Sequence, residues 1–281
     1  MARRVGKKPI SHFGKRIWTW YKFDQMYTVI IYGTKGMGKS SYSFLTGVDV
    51  LTNGDYKKKK YDASWAWEEL KDRIVFTPAA FLEKVMNLEK RVEFIIWDDA
   101  GLWLNALRWN DPFVKRVQEY LNVARTDMAV LMMTTPTSQM VVKKIRESEP
   151  AFFSVAIRYD TQRGTASLKE LADGTLKDYK YREARGYFQF LKPDGELSLP
   201  KHAWTDHFSA LMPDDFYKWY KPLRNKYATM AKELMKYELE LKKQEMMKHG
   251  KLIPGLFDEE DIEELQQKQI DDAKLREFLE E

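Results

Sequence analysis

Three apolar runs without polar interruption stand out in the first half of the chain: Tyr27–Tyr32, Phe94–Trp97 and Ala129–Thr135. A strand buried on both faces reads as such a continuous run rather than as an alternation. Ile74–Phe76 and Ala151–Tyr159 add two more strands of the same character. Between them lie segments with helical spacing and helical punctuation. Ser40–Leu51 has apolar residues at Tyr42, Leu45, Val48 and Val50, while Pro78–Leu88 opens with proline in its first turn. Asp111-Pro112 begins a helix that runs to Arg125, and Ser138–Glu147 reads as another. Strands alternating with helices predict an α/β fold: a parallel sheet of about five strands covered on both faces.

After Arg163 the period changes. Thr165–Leu171, Leu176–Tyr181 and Tyr187–Leu191 alternate, with turn signals at Asp173-Gly174 and Pro193-Asp194-Gly195. They predict antiparallel strands extending the sheet or forming a small flap. Pro213–Lys248 then reads as one long helix. Its stripe of Tyr227, Met230, Leu234, Tyr237 and Leu241 suits either docking on its own domain or a short coiled coil. The expected segments are an arm (1–24), a core (25–162), a strand extension (163–212), a C-terminal helix (213–250) and an acidic tail (251–281).

The turn after the first strand carries the chemistry. It reads Gly33-Thr34-Lys35-Gly36-Met37-Gly38-Lys39-Ser40, with Ser41 following, the complete spacing of a phosphate-binding loop between a strand and a helix. Glycines let the main chain turn its N–H groups toward a triphosphate at a helix N-terminus. Lys39 supplies a cation for the β- and γ-phosphates, and the Ser40 hydroxyl a magnesium ligand. About sixty residues on, a strand ends in Asp98-Asp99. Asp98 completes the magnesium shell through a bound water. Asp99 stands where additional-strand P-loop ATPases usually carry glutamate, as the residue that positions the attacking water. Thr134 and Thr135, ending the fourth strand, are candidates for the group contacting the γ-phosphate, with Thr135 preferred; capping of the next helix is the alternative. Arg125 and Arg146 are candidate arginine fingers reaching a neighbouring subunit's nucleotide.

Composition narrows the classes. The chain has 281 residues, 44% of them hydrophobic, and no cysteine, which excludes disulfides and thiolate chemistry and suits the cytoplasm. No apolar run reaches the ~20 residues that span a bilayer. His202 and His207 are too few and too badly spaced to suggest a further metal site. Net charge is +5, unevenly placed. Residues 1–24 hold seven basic residues against one acid, interleaved with Phe13, Trp18, Trp20, Tyr21 and Phe23. That mixture suits nucleic acid, through phosphate neutralisation and base stacking, or an aromatic strap packed on the domain. Lys57–Lys60 adds a basic loop. Residues 252–281 carry eleven acids against three bases, a tail that solvates the chain, competes with DNA or docks a partner.

On these residues the chain resembles the DnaA-like ATPases of fuselloviruses, spindle-shaped viruses of hyperthermophilic archaea, and of related archaeal plasmids. The resemblance rests on Ile30–Gly33 and the glycine loop, Trp97–Leu104, Trp109, Arg125, Met133–Thr137, Leu211–Pro213, Tyr217 and Tyr220. It covers roughly residues 18–240 and implies an AAA+ or additional-strand ATPase using ATP and Mg2+, oligomeric, and acting on viral or plasmid DNA in the host cytoplasm. Replication initiators carry a helical lid after the fifth strand and then a helix-turn-helix; here that region is strand-like. A strand ending in Thr134-Thr135-Pro136 also fits lidless DNA-pumping motors of the FtsK–HerA and zonula-occludens-toxin-like groups. Asp98–Gly101 matches the GTPase switch pattern, but no guanine-reading Asn/Thr-Lys-x-Asp follows Thr135. A non-hydrolysing DNA-binding protein with structural nucleotide is the remaining reading.

Overall fold

A computed structural model describes residues 10–53, 63–108, 110–146, 151–160, 168–170, 176–178, 181–192 and 196–248. The Lys57–Lys60 loop, Trp109, the two glycine turns after residue 170, the basic residues before Ile10 and the acidic tail lie outside them. The chain forms two compact units, residues 1–221 and 222–281.

Five parallel strands build the core of the first unit: β1 (Tyr27–Tyr32), β2 (Ile74–Val75), β3 (Ile95–Trp97), β4 (Val130–Thr135) and β5 (Ala151–Tyr159). Their order in the sheet is β2-β3-β4-β1-β5, with β4 inserted between the strand before the glycine loop and the strand before the acid pair. That insertion defines the additional-strand P-loop NTPase arrangement. β1 pairs with β4 from Tyr27↔Val130 to Tyr32↔Thr135 and with β5 from Val29↔Phe153 to Tyr32↔Ala156. The glycine loop therefore leaves the sheet centre at the carboxyl end of the strands, where α/β sheets bind ligands.

Two further strands, β8 (Tyr181–Phe190) and β9 (Lys201–Ser209), continue the sheet antiparallel beyond β5. β6 (Leu168–Glu170) and β7 (Leu176–Asp178) pair only with each other. The alternation at Tyr187–Leu191 marks only part of β8. The missed part of β8 places Arg182 and Glu183, and the unmarked β9 places Asp206, at buried positions, which breaks the apolar period. At the bulge beside Tyr187, a Cβ on Gly186 would stand 2.1 Å from the Trp204 ring, so the missing side chain is what admits the indole.

Helices cover both faces. Ile30, Ile95, Trp97, Leu131 and Met133 pack against Phe81 of α4 (Pro78–Met86), Val114, Val117 and Leu121 of α5 (Pro112–Leu121), and Ile145 of α6 (Lys143–Arg146). Thr77 and Asp111 cap α4 and α5, each ahead of a proline, as the sequence signals require. The expected helix at Ser138–Glu147 is broken. Val141 instead makes an antiparallel bridge to Asn105, and only a short 3-10 turn and α6 flank it. A β-branched pair, Val141-Val142, gains more from burial beside that bridge than from continuing a helix.

The opposite face holds α1 (His12–Lys22), α2 (Lys39–Thr52) and α3 (Ser64–Lys71). Half of the aromatic arm is thus a core helix. Phe13, Ile17 and Trp20 are buried at helical spacing, and Phe13 stacks between Tyr42 and Trp204 at 6.0 and 5.3 Å. Two buried carboxylates seat the N-terminus of α1. Asp49 accepts from the Ile10 and Ser11 N–H groups and from the Ser11 hydroxyl. Asp206 accepts from the His12 and Phe13 N–H groups and from the Tyr42 hydroxyl at 2.7, 3.1 and 2.8 Å. Acids there complement the positive end of the helix dipole. Burial, reinforced by Asp206, raises the Tyr42 phenol well above its ordinary pKa.

The long helix α7 (Asp214–Lys248) begins in the first unit, where Phe216 and Tyr220 are buried, and has Pro222 in its interior. In the second unit, Met230 and Tyr237 of the expected stripe are 37% and 61% exposed. Among the described residues, no helix is long and apolar enough to cross a membrane.

Candidate functional site

The glycine loop adopts conformations that its residue types dictate. Gly36 and Gly38 have φ of 80° and 89°, a region that side-chain-bearing residues rarely enter. Gly33 is required by crowding as well: a Cβ there would lie 2.8 Å from the Ile157 carbonyl of β5. Gly38 is the N-cap of α2 and offers no side chain to its first N–H groups, which leaves them directed at the loop interior. Lys39 curls back under the loop, its Nζ donating to the Gly33 and Thr34 carbonyls at 2.9 and 3.1 Å. Met37 is buried as the loop's apolar anchor; Thr34, Lys35 and Gly36 are exposed at its crest. Ser41, the next residue of α2, is buried.

The acid pair meets this loop across β4. Asp98 is fully buried, and its carboxylate is ringed by hydroxyls. Ser40 Oγ donates to Asp98 Oδ1 at 2.7 Å, and Thr134 Oγ1 donates to the same oxygen at 2.6 Å. Tyr220, from the start of α7, donates to Oδ2 at 2.6 Å. A buried carboxylate survives desolvation only with such partners. The Thr134 hydroxyl also accepts from the Asp99 N–H at 2.8 Å, so one side chain fixes both acids. Asp99 has φ 54° and ψ 34°, a left-handed conformation for a non-glycine residue, which turns it away from the line of β3 into the 3-10 turn Ala100–Leu102.

The fold brings Lys39, Ser40, Asp98, Asp99 and Thr134 together. Thr135 points elsewhere: its hydroxyl donates to the Thr137 carbonyl at 3.2 Å, and its side chain fills the space that Gly101 leaves open. Strand alternation is the reason, since adjacent residues of β4 face opposite sides of the sheet. Arg125 sits in a 3-10 turn before β4, the length of that six-residue strand, ~20 Å, from the loop. Its side chain is exposed, and its carbonyl accepts from Arg91 Nε at 2.7 Å. Arg146 ends α6 and donates from Nε to the Val141 carbonyl at 3.1 Å. Neither arginine joins the loop and the acid pair within one copy of the chain.

One residue to which the sequence assigned no role also borders the site. Tyr220 lies 122 residues from Asp98, and no local signal connects them. Beyond the end of β5, Asp160, Glu183 and His207 converge from three neighbouring chain segments, with ligand atoms within 4.8 Å of one another. His207 Nδ1 bonds Asp160 Oδ2 at 2.7 Å, and Glu183 pairs with Arg185, which lies outside the group.

No family model matches the chain. A curated relative, the uncharacterized protein B-251 of Sulfolobus spindle-shape virus 1, is 26% identical over 153 residues, which is 52% of this chain. The match spans 59% of that relative's length. Among solved structures, the genome packaging NTPase B204 from Sulfolobus turreted icosahedral virus 2, in complex with ATP-gammaS, aligns at 15% identity and a TM-score of 0.32. That alignment covers 64% of this chain and 98% of that one. The KaiC-like protein PH0186 from the archaeon Pyrococcus horikoshii OT3 aligns at 13% identity and a TM-score of 0.31, covering 73% and 94%.

Proposed function

We propose that this protein is an ATP-hydrolysing, DNA-associated ATPase of AAA+-like, DnaA-like type. In this reading it acts in the cytoplasm of an archaeal host on a viral or plasmid genome, as an initiator, loader or remodeller. The observation that carries the enzymatic reading is the 2.7 Å contact between Ser40 of the glycine loop and the buried Asp98 across the inserted strand β4. A hydroxyl and a carboxylate oxygen at one spot, beside a lysine and a helix N-terminus, fit a magnesium triphosphate and little else. Hard oxygen donors of this kind suit Mg2+, which when bound would neutralise charge on the β- and γ-phosphates.

The residues then have distinct tasks. The main-chain N–H groups of residues 34–40 and the dipole of α2 hold the phosphates, and Lys39 exchanges its two loop carbonyls for phosphate oxygens. Ser40 would supply one oxygen to the metal, and Asp98 Oδ1, 2.7 Å from it, would hold a water of the metal's shell. Asp99 orients a water whose oxygen attacks the γ-phosphorus as the bond to the β,γ-bridging oxygen breaks. ADP leaves with that electron pair, and the water's proton passes to the Asp99 carboxylate. Thr134 keeps the two acids in register. Arg125 or Arg146 of a second copy would meet the developing charge, as finger residues do.

The DNA association draws on the net charge of +5 and on one stripe of α1 where exposed lysines flank a half-buried tryptophan. Lys15, Trp18 and Lys22 share that stripe, with Lys22 Nζ 3.8 Å from the Trp18 ring. The relative from a Sulfolobus virus supports the viral setting.

A second reading, a packaging or translocation motor, is favoured by one feature: strands occupy the place of a helical lid. β8 and β9 extend the sheet past β5, and the chain after β9 reaches Gly38, where a Cβ would lie 3.0 Å from Ala210. ATP turnover of the wild type, Lys39→Ala and Asp98→Ala, titrated with single- and double-stranded DNA while assembly is followed by sedimentation, tests both. Wild-type turnover exceeding both variants is expected, and equality ends the enzymatic reading. Processive movement along duplex DNA by a ring would select the motor.

A further inference from the structure

The ring of hydroxyls around Asp98 has one member that comes from outside the P-loop core. Tyr220 is 2% exposed, and its ring packs edge-on against Phe44 of α2 at 5.1 Å and stacks on Phe76 at 6.0 Å. One turn earlier, Phe216 wedges against Phe44 and Trp67 at 5.4 and 4.7 Å. The opening turns of α7 are therefore locked to α2, the helix that carries Lys39 and Ser40. An aromatic ring fixed on two sides has little freedom to move its hydroxyl, so the position of the donor at Asp98 Oδ2 is set by packing rather than chosen by the carboxylate.

The two oxygens of Asp98 have separate surroundings. Oδ1 is shared by Ser40 and Thr134 and faces the glycine loop, while Oδ2 is taken by Tyr220. A carboxylate held at one oxygen cannot rotate about its Cβ–Cγ bond without breaking that charge-assisted bond. The other oxygen is then presented to the loop in one orientation, as ligands oriented from behind are in metal sites.

We propose that Tyr220 is a positioning residue for the metal half of the nucleotide site. Its hydroxyl fixes the Asp98 carboxylate so that Oδ1 faces Ser40, and the first turns of α7, up to Lys221, thereby become a structural part of the site. This rests on the nucleotide reading above. It predicts that loss of the hydroxyl weakens the contribution of Mg2+ to nucleotide binding and leaves metal-free binding nearly intact, because the hydroxyl donates to the acid on the metal side of the site.

The test is calorimetric binding of ATP, with and without Mg2+, to the full chain as wild type, Tyr220→Phe, Asp98→Asn and the double variant. Tyr220→Phe keeps the ring in its aromatic seat. The gain in affinity on adding Mg2+ should fall about tenfold, as loss of one hydrogen bond to a charged group implies. Metal-free affinity should stay within about twofold. In the Asp98→Asn background the same substitution should cost nothing further in Mg2+ dependence. An unchanged Mg2+ gain in Tyr220→Phe, or an equal loss in the Asp98→Asn background, overturns the proposal. If Tyr220→Phe does not fold, Phe216→Leu loosens the same helix while keeping the hydroxyl. It should lower the Mg2+ gain as well, and an undiminished gain would again overturn the proposal. Failure of the wild type to bind ATP under either condition would instead remove the nucleotide reading, so the two failures are distinguishable.

Discussion

Thr134→Val is the substitution that separates the two threonines at the end of β4. Valine matches threonine in shape, so the fully buried site stays filled and only the hydroxyl is lost. Two bonds go with it: the 2.6 Å donation to Asp98 Oδ1 and the 2.8 Å acceptance from the Asp99 N–H. A hydrogen bond to a charged group is worth ~1.5–3 kcal/mol, and an amide left unpaired in a partly buried site costs ~1–3 kcal/mol. Some of this is recovered as the Asp99 turn relaxes, which leaves about 3 kcal/mol acting on the placement of the acid pair. If that displacement is felt in the transition state, turnover falls roughly 10²-fold, at ~1.4 kcal/mol per tenfold. Thr135→Val is the matched control. Its hydroxyl makes one 3.2 Å bond to the Thr137 carbonyl, and its loss should change turnover by no more than severalfold. Steady-state phosphate release at saturating ATP and Mg2+, with metal-free ATP binding measured in parallel, gives the comparison. A Thr134→Val turnover within threefold of wild type, or a larger loss for Thr135→Val, would refute the assignment.

Two further outcomes follow from the packing. Asp206→Asn removes a charge that accepts from two N–H groups at the start of α1 and from the buried Tyr42 hydroxyl, and its new amide group confronts donors. The cost should be about 3–5 kcal/mol, seen as a fall of about 10 °C in Tm by circular dichroism. A change under 1 kcal/mol would mean that α1 is not anchored there. Gly101→Ala places a Cβ 2.3 Å from Thr135 Oγ1 and should cost about 2–3 kcal/mol in urea unfolding. Thr135→Ala in the same chain should recover part of that loss, and strict additivity of the two would contradict the contact.

Local pattern was enough for the elements that are buried on both sides or punctuated by caps. β1, β4 and β5 are continuous apolar runs because every residue in a central parallel strand meets another layer. α4 and α5 announce themselves through Thr77-Pro78 and Asp111-Pro112, whose capping bonds are made within a few residues. The glycine loop was legible for the same reason: its φ values and its crowding against β5 leave few other residue types possible. Asp98 was legible as an acid closing a buried strand, and the fold buries it against Ser40 and Thr134.

What the linear pattern left open was settled by contacts between residues far apart in the chain. Whether Phe13 and Trp20 face solvent or core depends on Tyr42 and Trp204, and β9, which carries Trp204, is itself disguised by Asp206 at an inward position. That acid looks like a surface residue until its partners at the start of α1 are known. Thr134 and Thr135 are equivalent as letters; the phase of β4 against β1 decides which hydroxyl reaches Asp98. Tyr220 reaches the other oxygen of the same carboxylate only because an aromatic pocket on α2 holds the first turns of α7. Short-range sterics and hydrogen bonding write themselves into the sequence, whereas a partner more than a hundred residues away is chosen by packing.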